Sequence, residues 1–235
     1  LKAENLSWKE EAKKRAALEA VKCIKDDFIV GLGSGSTVAY AFQEIGKRIK
    51  NKGLRIYGVP TSYQAFMLAT KHGIPTTTLD EHPKLDLTID GADQIDKKLN
   101  LIKGMGGALL REKIVAAASR QLIIVADKSK ITDSLGKNQQ LPVEVLPFAF
   151  ASVTSKIREM KGKPSLREGT NKVGPVITDN GNFIVDVDFG PIENLNELEY
   201  KLKSIPGIIE TGLFIGMADV AYIGTSTSVE ILKRK

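Results

Sequence analysis

Between residues 28 and 127, the short apolar runs "FIVGLG", "LRIYGVP", "LDLTID" and "QLIIVAD" alternate with segments of helical periodicity. Val38, Phe42, Ile45 and Ile49 recur at helical spacing and stop before Gly53. "SYQAFMLATKHG" repeats the pattern with Gly73 at its expected end, and "GGALLREKIVAAAS" follows. A further helix is expected over residues 8–24, where Trp8, Ala12, Ala16, Ala20 and Ile24 step by four. Strands that alternate with helices in this way close into a parallel, doubly wound sheet.

The order changes near residue 137. "LPVEVLPFAF" reads as a strand, Val153 to Met160 as a helix and "PSLRE" as a short strand. "GNFIVDVDF" is a strand entered through Asn180-Gly181, a strong tight-turn signal. A helix over "NELEYKLKSI" and a strand over "GIIETG" complete the order β-α-β-β-α-β, which is ferredoxin-like. The chain then returns with a strand over "ADVAYIG". The expected class is α/β, with one domain built from residues 1–136 and 212–235 and a small α+β domain inserted over 137–211.

A chain of 235 residues has enough length to bury about 70–75% of its unfolded surface. No apolar run approaches the ~18 residues of a membrane span, and no signal-peptide pattern is present. The chain begins at Leu1 rather than Met, as a trimmed or processed chain would. Cys23 is the only cysteine, which leaves no intrachain disulfide framework and fits a reducing compartment; it reads as a small residue on a helix face. The net charge of +6 comes from scattered lysines without interleaved aromatics, a pattern that suits anionic small molecules better than nucleic acid.

The stretch "GLGSGST" joins a strand to a helix through residues with little side-chain bulk. Backbone N–H groups and the helix dipole at such a turn attract an anion, and glycine lets a phosphate approach. Ser34, Ser36 and Thr37 add hydroxyl donors. No Gly-Lys-Ser/Thr ends the loop, so it is not a Walker loop. It is an imperfect dinucleotide fingerprint, with Ser36 where Gly or Ala belongs and Pro60 where an acidic residue should end the next strand. A small phosphorylated ligand and a purely structural turn remain as readings.

"DLTIDGADQID" places Asp90 and Asp93 just past a buried strand, where open α/β sheets bind ligands. The two carboxylates, spaced by Gly91 and Ala92, could accept sugar hydroxyls, trade a proton, hold a metal (though no His lies near) or simply cap a turn. Asp96, Lys97 and Lys98 read as a solvated turn, and His72 and His82 as surface or turn residues. In "LIKGMGGALLREK", Lys103 precedes Gly104, Gly106 and Gly107, and Glu112 lies in the helix that follows. Such a carboxylate can act as a general base beside oxyanion donors, or can be an ordinary exposed glutamate paired with Arg111 or Lys113. "ADKSK" ends another strand with Asp127, Lys128 and Lys130, a phosphate site or a charged turn.

Together, "GLGSGST", "TIDGAD", "LIKGMGGALLREK", "ADKSK", "LPVEV" and "TDNGN" resemble the ribose-5-phosphate isomerase A family, in the family's order and over nearly the whole chain. The resemblance implies a Rossmann-like sheet domain with an inserted ferredoxin-like α+β lid domain. It implies interconversion of D-ribose 5-phosphate and D-ribulose 5-phosphate in the non-oxidative pentose phosphate pathway, with no metal and no organic cofactor. Glu112 falls on the family's general base. Ser34, Gly35, Ser36 and Thr37 fall on its substrate loop, Asp90, Gly91, Ala92 and Asp93 on its acidic loop, and Lys103, Gly104, Met105 and Gly106 on its lysine-glycine loop. Lys130 falls on the lysine after "AD-x-S". Departures are Ser34 for a common threonine, Met105 for a frequent glycine and Gln94 for a common glutamate.

On this reading Glu112 moves the proton between C2 and C1, Lys103 and glycine N–H groups stabilise the oxyanion, and Asp90, or Asp90 with Lys103, assists proton exchange on the hydroxyl and ring opening. Asp93 orients hydroxyls. Homodimers or homotetramers, a sugar-phosphate partner, no nucleic acid or membrane partner, and a cytoplasmic location or a processed organelle form are expected. The alternatives are a sugar-phosphate sensor without turnover, before whose "FIVGLG" a DNA-binding helical module should lie, and a deaminase or acyl-CoA transferase on a related fold.

Overall fold

The computed structural model describes residues 2–171 and 173–234. Helix α1 (Lys2–Val21) leads into strand β1 (Phe28–Leu32), followed by α2 (Ser36–Lys52), β2 (Ile56–Pro60), α3 (Tyr63–Lys71) and β3 (Leu87–Asp90). Two short strands, β4 (Gln94–Ile95) and β5 (Leu101–Ile102), precede α4 (Leu109–Ala117) and β6 (Leu122–Asp127). The next run is β7 (Leu141–Val145), α5 (Phe150–Glu159), β8 (Lys163–Leu166), β9 (Phe183–Asp188), α6 (Leu195–Lys203) and β10 (Ile208–Thr211). Strands β11 (Leu213–Phe214), β12 (Val220–Gly224) and β13 (Val229–Lys233) end the chain.

These elements form two compact units. The first comprises residues 1–92, 111–130 and 216–235. Its sheet runs β13-β12-β6-β3-β1-β2, and every pairing is parallel except that of β12 with β13. The central strands are continuous apolar runs because helices cover the sheet. Val30, Leu32, Leu87, Ile89, Ile123 and Val125 pack with Ala16, Ala17 and Ala20 of α1 and with Val38, Phe42 and Ile45 of α2. Small residues on α1 let that helix lie close to its neighbours. α2 ends at Gly53, whose φ of 67° is the left-handed geometry a helix C-terminus favours.

The second unit comprises residues 93–110 and 131–215. Its four-stranded antiparallel sheet has the order β10-β7-β9-β8, the arrangement expected of a ferredoxin-like β-α-β-β-α-β chain. Val143, Val145, Val185 and Val187 meet Val153 and Ile157 of α5 and Leu202 of α6 in its core. A small sheet, β11-β5-β4, belongs to the same unit.

The structure departs from the sequence expectations at several places. The strand over "LPVEVLPFAF" ends at Val145, and the chain turns helical from Pro147, a residue with no N–H for a continuing ladder. α1 ends at Val21, so Cys23 lies in the turn beyond it, with Sγ 3.3 Å from the Tyr222 hydroxyl. Strands β4, β5, β11 and β13 were not anticipated. The unit boundaries at 92/93, 110/111, 130/131 and 215/216 differ from the expected 136/137 and 211/212. Pairing of β5 with β11 joins 93–110 to the second unit, as do the bonds of Gln94 to the 136–137 turn.

Candidate active site

In the first unit the carboxyl ends of β6, β3 and β1 lie side by side, which brings three of the singled-out stretches to one sheet edge. The glycines of β1 and its loop are set by close packing. A Cβ on Gly31 would fall 1.8 Å from Thr88 Oγ1 and 2.7 Å from Val115 Cγ1, so α4 lies directly on that strand. A Cβ on Gly33 would fall 2.2 Å from Asp90 Oδ1.

Asp90 is fully buried at the end of β3. Its Oδ1 accepts the N–H of Gly91 at 2.7 Å and that of Ser34 at 3.2 Å. The acidic strand end and the glycine loop are therefore one hydrogen-bonded assembly. The Ser34 hydroxyl is engaged by the segment between β2 and α3, 2.9 Å from Thr61 Oγ1 and 2.6 Å from Ser62 Oγ. Gly35, with φ 101° and ψ 177°, adopts a conformation open to glycine, and its N–H donates to Gln64.

α2 starts at Ser36 with no side-chain cap and no acidic residue in its first turn. Its N-terminal N–H groups and the Ser36 and Thr37 hydroxyls make an electropositive corner suited to a phosphate. Ser36 is exposed and Thr37 half-buried. Lys13 of α1, which the sequence reading passed over, reaches this corner, with Nζ 3.4 Å from Ser36 Oγ. The same ammonium contacts Glu10 at 2.8 Å, and the Tyr40 hydroxyl donates to Glu10 at 2.7 Å. Bonds from Lys13 first, then Tyr40, hold the Glu10 carboxyl below its ordinary range, and the same Glu10 bond holds the Tyr40 hydroxyl above its own. The only sequence signal for Lys13 was its basic character; its relevance depends on how α1 packs.

Glu112 sits in the first turn of α4 and is 5% exposed, which sets aside the reading of an ordinary exposed glutamate. The helix is fixed to the sheet on the same side. The Thr88 and Ser119 hydroxyls are 2.6 Å apart, and Val115 packs with Val59 and Leu85. The Arg111 guanidinium lies 5.3 Å from the centroid of the Tyr63 ring. After β6, buried Asp127 accepts the Ser129 N–H at 2.9 Å, shaping the turn that carries Lys128 and Lys130. Lys128 pairs with Glu230 at 3.0 Å, and Lys130 is half-buried.

In the second unit Lys103 follows β5 and is 3% exposed. Its N–H donates to Gly212 O at 2.9 Å, and its ammonium lies 5.3 Å from the Phe214 ring centroid. Gly104 has φ 107°, and a Cβ there would meet Leu109 Cδ2 at 2.7 Å. Met105 is not among the positive-φ residues, so glycine is not required at its position. Asp93 accepts the Met105 N–H at 3.0 Å and thereby supports the lysine-glycine loop. Gln94 uses both ends of its amide, donating to Lys137 O at 2.7 Å and accepting from Gly136 N at 2.9 Å. A glutamate could not make the first bond, which gives this departure from the family pattern a structural reason.

Ala92 is half-buried beside Gly91, and Gly106 is exposed. Asp96 anchors its turn through the N–H groups of Lys98 and Asn100, and Lys97 pairs with Asp133. Among the described residues no cluster of three His, Cys, Asp or Glu side chains is placed to hold a metal ion, and no helix is long and apolar enough to cross a membrane.

Comparison with known proteins gives one family. Residues 57–228 match the model of ribose 5-phosphate isomerase A (phosphoriboisomerase A). Ribose-5-phosphate isomerase A of Methanosarcina acetivorans is 50% identical over 232 residues, 98% of each chain. The solved ribose 5-phosphate isomerase A of Methanocaldococcus jannaschii superposes with a TM-score of 0.92 at 43% identity, over 95% of this chain and 99% of that one. A D-ribose-5-phosphate isomerase solved in complex with phospho-erythronic acid gives 0.94 at 45% identity, over 96% and 99%.

Proposed function

Since this chain belongs to the ribose 5-phosphate isomerase A family, we propose that it interconverts D-ribose 5-phosphate and D-ribulose 5-phosphate with Glu112 as its acid–base group. The observation that carries the residue assignment is the burial of Glu112 in the first turn of a helix that packs directly on the glycine-containing strand. A carboxylate withheld from water is suited to carbon acid chemistry, where hydration would compete with proton abstraction.

Glu112 takes the C2 proton of the open-chain aldose, and the electron pair moves to the carbonyl oxygen to form an enediolate. The same carboxyl group returns the proton at C1, giving the ketose. A positioned base of this kind contributes about 10²–10⁴-fold. Lys103 and the Gly106 N–H of its loop balance the negative oxygen, a contribution of roughly 2.7–4 kcal/mol per donor. Asp90 carries the proton exchanged between the two oxygens and assists ring opening. Gly91 and Ala92 shape its turn, and Asp93 orients hydroxyls and the lysine-glycine loop. The α2 N-terminus, Gly35, Ser36 and Thr37 take the phosphate with Lys13 and Lys130, while Ser34 holds the loop in shape. Phosphate binding then keeps the reacting carbons against Glu112.

We also propose a homodimer or homotetramer, no requirement for a metal or organic cofactor, and a cytoplasmic site of action. The near-complete match to isomerase chains supports turnover over a purely sensing role. The test is conversion of D-ribose 5-phosphate to the ketose in EDTA, with Glu112→Gln beside the wild type. The variant keeps shape and loses basicity, so kcat should fall about 10²–10⁴-fold. Near-normal turnover by the variant would remove Glu112 from the role, and no turnover by folded wild type would remove the function.

A further inference from the structure

The loop after Lys103 is held by a side chain that the proposed mechanism does not use. Arg167 lies just past β8, with its side chain 13% exposed. Nε donates to Asp186 Oδ2 at 2.7 Å, and Nη2 completes the fork on Asp186 Oδ1. Nη1 donates to two backbone carbonyls, those of Gly104 and Met105, at 2.9 Å each. Asp186 stands on β9, between β7 and β8, so the guanidinium is aimed from an interior strand.

Those two contacts fix more than the carbonyls. The described peptides are all trans, so each C=O points opposite to the N–H of the next residue. With the Gly104 carbonyl turned to Arg167, the Met105 N–H faces away and meets Asp93. With the Met105 carbonyl turned the same way, the Gly106 N–H also faces away from the guanidinium. A cation thus holds the negative ends of two peptide dipoles and presents their positive ends on the other side of the loop. The Gly104 carbonyl additionally accepts the Gly107 N–H at 3.0 Å, which closes the turn.

We propose that Arg167 is a positioning residue of the isomerase reaction, setting the peptide planes after Lys103 so that the Gly106 N–H meets the enediolate oxygen while the Met105 N–H stays on Asp93. This rests on the isomerase reading above. The geometry calls for arginine. One planar fork serves a carboxylate on one side and two carbonyls on the other, whereas a lysine ammonium is a single point of charge. Asp186 orients the guanidinium, and the loop takes its shape from both.

The experiment compares wild type, Arg167→Ala, Arg167→Lys and Glu112→Gln, with kcat and KM for D-ribose 5-phosphate and a urea unfolding curve for each. Both Arg167 variants should lose about 10- to 100-fold in kcat, the scale expected when reacting groups move by about 1 Å. KM should change much less, because the oxyanion exists only along the reaction path. Methylguanidinium should restore part of the rate to Arg167→Ala and none to Glu112→Gln. If the alanine variant does not fold, the lysine variant carries the same kcat and KM criteria. Wild-type kcat in a folded Arg167 variant, a change confined to KM, or a loss that follows the unfolded fraction would overturn the proposal. An inactive wild type would instead overturn the isomerase reading, and a turning-over wild type with inactive Glu112→Gln but normal Arg167→Ala would overturn the positioning role alone.

Discussion

Gly33→Ala is the sharpest test of how the glycine loop and the acidic strand end depend on one another. The added Cβ would sit 2.2 Å from Asp90 Oδ1, 2.4 Å from its Cγ and 2.6 Å from its Cα. Side-chain rotation cannot relieve the last contact, so either the loop or β3 must retreat by about 1 Å, a displacement that can cost about 10² in rate at a reacting site. Asp90 is fully buried, and its Oδ1 bonds to the Ser34 and Gly91 N–H groups cannot both survive that shift. Leaving a buried hydrogen-bonding group unsatisfied costs about 1–3 kcal/mol, so losing one or both bonds costs roughly 1–6 kcal/mol. The upper end of that range is a large part of the ~5–15 kcal/mol by which a domain is stable. Gly53→Ala is the comparison. Its φ is 67° with nothing within 4 Å of the new Cβ, so it should cost only about 1–2 kcal/mol and leave the rate alone. Urea unfolding and kcat with D-ribose 5-phosphate read both variants. If Gly33→Ala is no less stable than Gly53→Ala and turns over like wild type, the coupling inferred between Gly33 and Asp90 is wrong.

Two further perturbations probe the first unit. Lys13→Ala removes an ammonium 3.4 Å from Ser36 Oγ and should raise KM about tenfold while sparing kcat, since the phosphate is unchanged through the reaction; an unchanged KM would separate Lys13 from phosphate binding. Tyr222 is pushed up to about 12 from 10.0, by burial first and by its bond to Cys23 second. Between those values the unfolded chain releases the proton while the folded chain keeps it, so stability should fall as pH rises through that window. Tyr222→Phe should flatten the fall, and an equally steep decline of the urea midpoint in the variant would assign it to other groups.

The parallel sheet was legible because its central strands are apolar runs bounded by glycine and charge, and the helices between them keep one periodicity. The two-residue strands β4, β5 and β11 carry no such pattern; they exist because Leu101 and Ile102 find partners at 213–214 and 94–95. β13 was missed because "VEILK" is an edge strand whose charged residues face solvent. "LPFAF" looked like buried strand, yet Phe148 is 97% exposed once Pro147 turns the chain. Among the candidate residues, the glycines, Asp90 and Lys103 could be singled out by residue type and spacing. The burial of Glu112 could not, because "REK" describes a solvated helix face equally well. Lys13 and Arg167 were invisible for a shared reason: each matters through a contact set by packing, 23 residues from Ser36 in one case and 63 from Gly104 in the other.

β12 completes the first sheet beside β6, although about ninety residues of chain separate Asp127 from Val220. Closing a flexible loop of about ninety residues costs about 4 kcal/mol of chain entropy. The inserted unit has its own closure: β7 and β10 are neighbours, and the Gly212 N–H donates to the Pro142 carbonyl at 2.7 Å. Once that clasp is fastened, only about twenty residues of the excursion remain free, and the entropy cost of seating β12 drops by roughly 1 kcal/mol. The insertion therefore interrupts the sheet in sequence while shortening the search by which the sheet is completed.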